Sequence, residues 1–428
     1  MGNKYTCLKA NAVEKHLENL TQLTFEVTDA CNLKCKYCGY GEYYDDYDKR
    51  EDKLLTIGQA IPVLEYVSEK WRSTYYSSYK KNTYISFYGG EPLLNMKFIK
   101  DAVDWIGRMN IPHFHFVFTM TTNAILLKKN IDFLVEHDFK ILVSLDGDRY
   151  NNSYRVDKRD ENSFDKIMDN LTYVKETYPD FFAKNINFNS VLHDRNSHDS
   201  IVRFFRETFD KLPTIAEINP MNIKSDRIQE FSKVFKSRKE SISQSDNKKD
   251  LQRELFMDDP QINGLCTYIH WHSGNVFKTY NDLLTLEENK QWIPTGTCLP
   301  FEKKMFVTVN GKILPCERIS HEYALGRIEN GKVSLDFEAI AKKYNVWYER
   351  YIPQCSDCYA VHTCKQCMFY NPYLNTTCKC PYVMNRDEFE KYKEAHYAFL
   401  AANPHLYREI MEKVVIHGVV DKIEAVFL

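Results

Sequence analysis

Apolar and polar positions alternate with two different periods along the first half of the chain. Short strand-like runs are separated by segments in which apolar residues recur at the spacing of amphipathic helices. The predicted strands are 22–28, 83–88, 113–119, 140–145, 185–192 and 215–219. The predicted helices are 56–70, 95–108, 126–137, 162–177 and 197–209. This alternation predicts βα units around a parallel sheet, and six strands favour an open partial (β/α)6 barrel because a closed barrel needs eight.

The pattern changes after residue 222. Residues 223–262 are charged and look helical, except that 238–249 are polar enough for a loop tip or a disordered crossing. Residues 264–297 show no clean periodicity, and we read them as an inter-domain segment placed to cover the active site. Apolar runs on both sides of Asn310-Gly311 predict a hairpin with a type I′ turn. The tail from residue 386 has helical periodicity and is expected to pack on the barrel.

These patterns predict an α/β protein in which the barrel is followed by a small cysteine-rich domain of hairpin and loops. The expected division is 1–21 lead-in, 22–222 barrel, 223–297 helical bridging segment, 298–384 cysteine-rich domain and 385–428 helical tail.

Composition narrows the functional classes. The 428 residues carry a net charge of −2 with a pI near 6.7, so binding of nucleic acid by bulk electrostatics is not indicated. No run approaches 18 apolar residues, and Met1–Leu20 carries charges where a secretory signal would be apolar. We therefore expect a cytoplasmic protein with no membrane partner, in which thiols stay reduced.

The cysteines are distributed unevenly. Of the 13, three lie at 31, 35 and 38, none lies between 38 and 266, and eight crowd into 298–380. In a reducing compartment this distribution favours metal or cluster ligation over disulfides.

The first group, Cys31-x3-Cys35-x2-Cys38, follows the first predicted strand. Three thiolates can hold three irons of a [4Fe–4S] cluster and leave the fourth iron open for a ligand that is not protein. A tetrahedral zinc site would need a fourth ligand, which neither His16 nor residues 39–50 supply at the usual spacing.

Polar motifs follow three further strands. They are Gly89-Gly90-Glu91-Pro92, Thr121-Thr122-Asn123 and Ser144-Leu145-Asp146-Gly147. Paired glycines let the backbone approach a ligand, and the Glu91 carboxylate can accept a hydrogen bond from an ammonium. Asn123 offers a polar contact from a strand end. The glycine motif alone also fits an ordinary turn, and asparagine in a turn is often an Asx-turn residue.

The triad, with the aromatic Tyr37 directly before its last cysteine, resembles the CxxxCxΦC signature of the radical S-adenosylmethionine (SAM) enzymes. The resemblance implies that the open iron chelates the amino and carboxylate groups of SAM, with Tyr37 counted among the cofactor-binding residues. It further implies that Gly89, Gly90 and Glu91 bind the cofactor amino group, that Ser144 contacts the ribose, and that Arg155 pairs with the carboxylate.

Two readings compete with this role of Arg155. Arg149 and Arg159 lie close enough in sequence to take its place. An arginine at this position could also be an ordinary solvated surface charge.

The second group of cysteines resembles the SPASM domain, a C-terminal extension of this family that holds two auxiliary [4Fe–4S] clusters. The pattern is Cys298-x12-Gly311-x4-Cys316, Cys355-x2-Cys358-x5-Cys364-x2-Cys367 and Cys378-x-Cys380. It departs from the family in the spacing before Cys367, where x3 is usual, and in the doubled last cysteine. Taken alone, the two CxxC pairs also fit a structural zinc site.

The family's ligation implies two auxiliary ligand sets. The distal cluster takes Cys355, Cys358, Cys364 and Cys380, with Cys378 as the alternative to Cys380. The nearer cluster takes Cys298, Cys316 and Cys367, and its fourth ligand stays open. Either Cys266 is the fourth ligand, or one iron of this cluster is left open for a substrate thiolate. Cys266 is equally well explained as a small, buried hydrophobic side chain.

Three [4Fe–4S] clusters and SAM together imply a 5′-deoxyadenosyl radical that abstracts hydrogen, with an electron donor such as flavodoxin or ferredoxin. SPASM enzymes mostly act on peptides, so we expect a maturase that installs a thioether or C–C crosslink in a ribosomally made precursor peptide. One alternative is a sulfatase-maturing enzyme that makes formylglycine. Another is a non-catalytic, metal-stabilised peptide-binding protein.

Overall fold

The structure is a computed structural model that describes residues 5–45, 47–73, 81–112, 114–272, 293–371, 374–376 and 379–416. The strands are β1 Gln22–Thr28, β2 Lys81–Gly89, β3 Phe114–Thr122, β4 Lys140–Ser144, β5 Ile186–Leu192, β6 Thr214–Glu217, β7 Lys304–Val307, β8 Lys312–Leu314, β9 Gly326–Glu329 and β10 Lys332–Leu335. The helices are α1 Ala10–Glu18, α2 Ile57–Ser73, α3 Met96–Gly107, α4 Leu127–Glu136, α5 Phe164–Thr177, α6 Pro179–Asn185, α7 His198–Phe209, α8 Ile228–Val234, α9 Arg238–Ser243, α10 Lys248–Leu255, α11 Pro260–His272, α12 Phe337–Ser356, α13 Arg386–Ala402 and α14 His405–Ile410.

Strands β1 to β6 lie side by side in chain order, and every neighbouring pair is parallel. A helix follows each strand from β1 to β5, so the predicted open partial (β/α)6 barrel is confirmed. Successive side chains of a strand point to opposite faces of the sheet, and on one face they are apolar and pack on the helices. Phe25 and Phe87 pack their rings on Phe98 of α3, with centroids 5.7 and 6.3 Å away.

The intervening residues of these strands are polar and hydrogen-bonded to one another. Gln22 Nε2 donates to Ser86 Oγ over 2.6 Å, and Ser86 Oγ lies 2.6 Å from Thr119 Oγ1. Because side chains alternate between the faces of a strand, the sheet turns an apolar face to its helices and a polar, buried face away from them.

The sheet has ten strands because a hairpin extension joins β1. Strand β7 runs parallel to β1, and β8, β9 and β10 continue from it in antiparallel order. The predicted β7–β8 hairpin is confirmed, but its turn is not type I′. Among Asn310 and Gly311, only Gly311 has a positive φ, of +78°, whereas a type I′ turn needs two. Asn330 and Gly331, between β9 and β10, have φ of +50° and +70° and satisfy that requirement.

The chain divides into two compact units. The sheet unit comprises 9–241 and 298–341, and the C-terminal unit comprises 1–8, 242–297 and 342–428. Cys298 and Cys316 therefore belong to the sheet unit, whereas Cys355, Cys358 and Cys364 belong to the C-terminal unit. The domain boundaries given above stay a prediction.

The polar stretch 238–249 is mostly helical, because 238–243 form α9 and α10 begins at Lys248, so the predicted loop tip is confined to 244–247. Of the predicted inter-domain segment 264–297, residues 264–272 lie within α11 and 273–292 lie outside the described residues. In α9, Ser241 is buried and its Oγ accepts a hydrogen bond from the His198 backbone N–H over 3.0 Å. Tertiary packing of this kind stabilises a short polar helix that the hydrophobic pattern of its sequence does not predict.

Helix α11 forms an apolar cluster with the C-terminal tail. The buried members of this cluster are Ile262, Leu265, Cys266, Ile269, Leu406, Ile410 and Val414. The described part of the tail is helical, as predicted, and packs on α11 within the C-terminal unit. Its expected packing on the barrel stays a prediction. No described helix is both long and apolar enough to cross a membrane.

Candidate active site

The cysteine triad lies in the loop that follows β1. This loop is attached to the segment after β4 by two backbone hydrogen bonds, from Lys34 N–H to Val156 O at 2.8 Å and from Lys36 N–H to Tyr154 O at 3.1 Å. A further bond from Cys38 N–H to Cys35 O, 3.1 Å long, closes a turn inside the triad. The loop is therefore held by the far side of the barrel as well as by its own strand.

N–H donors face the sulfur atoms of the triad. The backbone N–H of Leu33 donates to Cys31 Sγ over 3.4 Å, Asn123 Nδ2 approaches the same sulfur at 3.8 Å, and Arg50 Nη2 lies 3.9 Å from Cys38 Sγ. Burial raises the pKa of Cys31 to about 11 and that of Cys35 to about 12.

These sulfurs suit a cationic iron–sulfur cluster. Buried thiols hold their protons until a positive partner compensates the thiolate charge, and a bound cluster supplies that compensation. Donors directed at sulfur then stabilise the coordinated thiolates. The donor set therefore fits the cluster that the spacing predicts.

The two glycines after β2 bring its end against the start of the cysteine loop. Gly89 has φ of +128°, and a Cβ there would lie 2.2 Å from Thr28 O. A Cβ on Gly90 would lie 2.0 Å from Ala30 O, while Glu91 N–H donates to the same oxygen over 2.9 Å. The closest approach that these glycines allow is therefore to protein backbone, next to Cys31.

Glu91 is fully buried, and protein donors occupy its carboxylate. Its oxygens accept from the Leu93 N–H at 3.1 Å, Thr122 Oγ1 at 2.6 Å and the Asn123 N–H at 2.8 Å. Burial raises its pKa to about 7 in spite of these bonds. In this geometry the carboxylate joins the ends of β2 and β3. The predicted contact between this carboxylate and the cofactor amino group stays a prediction.

Asn123 forms an Asx turn and also makes polar contacts at the end of its strand. Its Oδ1 accepts from the Ile125 N–H over 3.1 Å, which is an Asx turn. Its Nδ2 donates to Asn32 Oδ1 over 2.7 Å and faces Cys31 Sγ. The turn thus aims an amide at the cysteine loop.

Arg155 is buried beside an aspartate at the end of β4. Only 7% of its side chain is exposed, and its Nη2 donates to Asp146 Oδ1 over 3.0 Å. Burial alone would raise the pKa of Asp146, but Arg155 and His193 bring it down to about 2. The reading of Arg155 as a solvated charge is therefore wrong. In the part of the chain that the structure describes, its buried Nε has no hydrogen-bond partner.

The two rival arginines are exposed. The Arg149 side chain is 61% exposed and pairs with Asp165, and that of Arg159 is 74% exposed and pairs with Asp157 and Glu161. Ser144, the last residue of β4, is half-buried and pairs in register with Asn189 of β5.

Asp146 and His193 were not assigned from sequence, although both lie at strand ends. The Tyr37 hydroxyl donates to Asp146 Oδ2, and His193 Nε2 is 3.8 Å from the same oxygen. His193 is fully buried and stacks on the Tyr37 ring at 5.8 Å. The Tyr37 side chain therefore faces this network. His193 follows β5 directly, so the rule that strand ends carry the chemistry, applied to the fifth strand, would have found it.

In the C-terminal unit, four cysteines line one cavity of about 370 Å³. They are Cys355, Cys358, Cys364 and Cys380. Burial raises the pKa of Cys355 to about 12 and raises that of Cys364. The Met384 N–H donates to Cys358 Sγ over 3.4 Å. These are the four residues that the resemblance to the SPASM domain assigns to the distal auxiliary cluster, while Cys378 lies outside the described residues.

The remaining cysteines have varied surroundings. Cys298 is exposed, Cys367 is half-buried, and Cys316 accepts a 3.4 Å hydrogen bond from the Arg318 N–H. Burial raises the pKa of Cys316 to about 12. Cys266 is 5% exposed and packs in the apolar cluster of α11 and α14, an environment typical of a small hydrophobic side chain.

Comparison with known proteins gives three related findings. Residues 25–207 match the sequence model of the Radical SAM superfamily. A cysteine-type anaerobic sulfatase-maturating enzyme of Clostridium novyi (strain NT) is 24% identical over 337 residues, or 76% of this chain and 81% of that enzyme. The radical SAM cyclopropyl synthase TigE of Paramaledivibacter caminithermalis is 26% identical over 215 residues, which cover 47% of this chain and 43% of the synthase.

Among solved structures, native anSMEcpe with bound AdoMet and Kp18Cys peptide has a TM-score of 0.60 with this chain at 16% identity. The match covers 91% of this chain and 99% of that one. At this identity the likeness shows the fold alone.

The partial barrel with its cysteine triad, matched over residues 25–207, is thus a radical SAM domain. Its cofactors are accordingly an iron–sulfur cluster and SAM.

Proposed function

We propose that this chain is a peptide maturase that uses a 5′-deoxyadenosyl radical to install an oxidative thioether or C–C crosslink in a ribosomally made precursor peptide. The observation that carries the proposal is the cavity of four cysteines outside the radical SAM domain. Radical formation needs one cluster, and a second redox centre suits a reaction that removes electrons from its substrate. Two similar proteins, named for sulfatase maturation and for a bound peptide, support a peptide substrate.

In this proposal the sheet unit holds the radical-generating site. Cys31, Cys35 and Cys38 ligate the first cluster, and Asn123 and Arg50 direct N–H groups at its sulfurs. When bound, SAM supplies the radical after one-electron reduction from the cluster. Gly89 and Gly90 shape the loop that meets the amino group, Ser144 contacts the ribose, and Arg155 offers its remaining N–H donors to the carboxylate.

Two auxiliary [4Fe–4S] clusters complete the proposed set of three. Cys355, Cys358, Cys364 and Cys380 hold one of them. Cys298, Cys316 and Cys367 hold the other, and the packing of Cys266 among apolar side chains supports an open iron there. An external donor such as flavodoxin or ferredoxin supplies the first electron.

Formation of formylglycine from cysteine is the second candidate. It is favoured by the similarity to the Clostridium novyi enzyme over 81% of that enzyme's length. The two reactions differ in the fate of sulfur. Crosslinking removes two hydrogens and keeps the sulfur, whereas formylglycine formation replaces the thiol sulfur with a carbonyl oxygen.

The deciding experiment incubates anaerobically purified, iron-loaded protein with SAM, a reductant and each of two peptides. One peptide is taken from any short reading frame beside this gene that encodes a Cys-rich or Gly-Gly-containing precursor, and the other is a cysteine-containing sulfatase segment. We expect 5′-deoxyadenosine and a product of the neighbouring peptide that has lost two hydrogens and kept its sulfur. Loss of sulfur from the sulfatase segment would establish the second candidate. Protein that holds zinc without sulfide and releases no 5′-deoxyadenosine would contradict both and indicate a binding protein.

A further inference from the structure

A three-residue segment of the C-terminal unit is attached to the loop that contains Cys364 and Cys367. We call Thr295-Gly296-Thr297 the clamp. Gly296 N–H donates to Gln366 O over 3.0 Å, and Thr297 Oγ1 accepts from the Met368 N–H over 2.7 Å. The two bonds lie on either side of Cys367 in sequence. The bond from the Met368 N–H depends on the Thr297 hydroxyl, which a simple connecting segment would not require.

The clamp and the loop are in close contact. A Cβ on Gly296 would lie 2.2 Å from Cys364 O and 2.7 Å from Lys365 Cα, both of them backbone atoms. On its other side the loop is tied to α11, because Lys365 Nζ donates to Asn263 Oδ1 at 2.6 Å and to Thr267 Oγ1 at 3.0 Å. The loop is therefore held from two directions.

Thr295 adopts a conformation that its residue type disfavours. Its φ is +69°, in the left-handed region that β-branched residues rarely enter. Its hydroxyl lies 2.8 Å from the Thr297 hydroxyl, which also accepts the Met368 N–H. The surrounding contacts thus maintain a backbone conformation of Thr295 that is unfavourable in free energy for a β-branched residue.

This geometry turns backbone N–H groups toward the cysteines of the cavity. The Thr295 N–H faces Cys355, and the N–H groups of Gly296 and Gln366 face Cys364. Cys355 and Cys364 both line the 370 Å³ cavity. An N–H directed at a coordinated sulfur stabilises the more negative, reduced state of an iron–sulfur cluster, which raises its reduction potential.

We propose that the clamp positions the ligand loop of the distal auxiliary cluster and raises the reduction potential of that cluster through its N–H groups. The inference rests on the proposed function, because it requires a cluster in the four-cysteine cavity. In this proposal the clamp residues act through the ligands and are positioning residues. A higher potential makes this cluster a better acceptor of the electron that an oxidative modification releases.

The test uses the full chain with Cys31, Cys35 and Cys38 replaced by Ala, so that only auxiliary clusters contribute to the spectrum. Thr297→Val keeps the shape of the side chain and removes the acceptor of the Met368 N–H, whereas Thr297→Ser restores an acceptor. Gly296→Ala forces a methyl group against Cys364. Thr295→Gly retains the N–H and relieves the positive φ. For each variant, bound iron, the paramagnetic resonance spectrum of the reduced protein and the potential of the auxiliary signal are measured.

We expect Thr297→Val to shift the potential of one auxiliary signal to a more negative value, with Thr297→Ser and Thr295→Gly close to the parent. Gly296→Ala should lose about half of the auxiliary iron, the share of one cluster in two. Thr297→Val and Thr297→Ser variants that both keep the parent's potential and spectrum would overturn the clamp while leaving the proposed clusters in place. A parent protein without auxiliary iron would overturn the clusters as well, so the two failures are distinguishable.

Discussion

At the scale of single residues, burial separates three arginines that the sequence could not rank. Arg155 is enclosed with Asp146, while Arg149 and Arg159 are exposed and pair with neighbouring surface carboxylates. A guanidinium in a largely desolvated site contributes more to binding than one in water, because few solvent dipoles screen it. The fold therefore favours Arg155 for the cofactor carboxylate.

We predict that Arg155→Ala weakens SAM binding by about ten-fold to several hundred-fold, at about 1.4 kcal/mol for each factor of ten. Arg149→Ala should be nearly neutral. Equilibrium binding of SAM to the iron-loaded protein measures both effects, and the reverse ranking would show that Arg155 is the wrong residue.

Loss of Arg155 also leaves Asp146 buried without its charge partner, so a control must separate stability from affinity. The double variant Arg155→Met/Asp146→Asn removes the whole ion pair. We expect it to recover much of the thermal stability lost in Arg155→Ala and none of the affinity for SAM. Recovery of both would mean that Arg155 acts only by stabilising the fold.

Glu91 should make stability depend on pH. Its pKa in the folded protein is about 7, against 4.5 when unperturbed, because the carboxyl is buried. Between these values the unfolded chain is ionised while the folded chain keeps the proton, so stability falls as pH rises from about 4.5 to about 7, by about 1.4 kcal/mol per unit. The midpoint of thermal unfolding, measured across this range for wild type and Glu91→Gln, tests the effect. Parallel curves for the two proteins would contradict it.

At the scale of elements, periodicity predicted the barrel well because each strand and helix buries one continuous face. All six predicted strands and all five predicted helices are present, with ends that differ by only a few residues. The turns were harder, since Asn310-Gly311 and Asn330-Gly331 have identical sequences but only the second has two positive φ angles. Loop length and the pairing of the flanking strands decide the turn type, and neither can be read from the dipeptide.

The ends of β1 and β2 supply a prediction about the cysteine loop. Because a Cβ at Gly90 would lie 2.0 Å from the Ala30 carbonyl, Gly90→Ala must displace the backbone beside Cys31. We expect this variant to lose the iron of the first cluster, about a third of the total if three clusters are present, and to stop cleaving SAM. Gly107→Ala, at the end of α3 with nothing within 4 Å of the added Cβ, is the matched control. Full iron content in Gly90→Ala would contradict the assigned role.

At the scale of the whole molecule, the two units divide the cysteines in a way that spacing alone did not reveal. The 298–341 stretch contributes strands β7 to β10 to the barrel sheet, although its cysteines resemble those of a separate domain. Sequence patterns could predict candidate cluster ligands because thiol chemistry and spacing are local. They could not show that β7 pairs with β1, which lies almost 300 residues earlier, or that Asp146 and His193 meet Tyr37, because those contacts depend on the folded sheet.

This division leads to a prediction about iron content. The triad shares no residue with either auxiliary ligand set, and four of the auxiliary cysteines line a cavity in the other unit. Replacing Cys31, Cys35 and Cys38 together by Ala should abolish SAM cleavage and leave about two thirds of the iron, because the three proposed clusters have equal iron counts. Cys7→Ala, which removes an exposed thiol, should change neither quantity. Continued formation of 5′-deoxyadenosine by the triple variant would show that the radical is generated elsewhere, and complete loss of iron would show that the auxiliary clusters depend on the first.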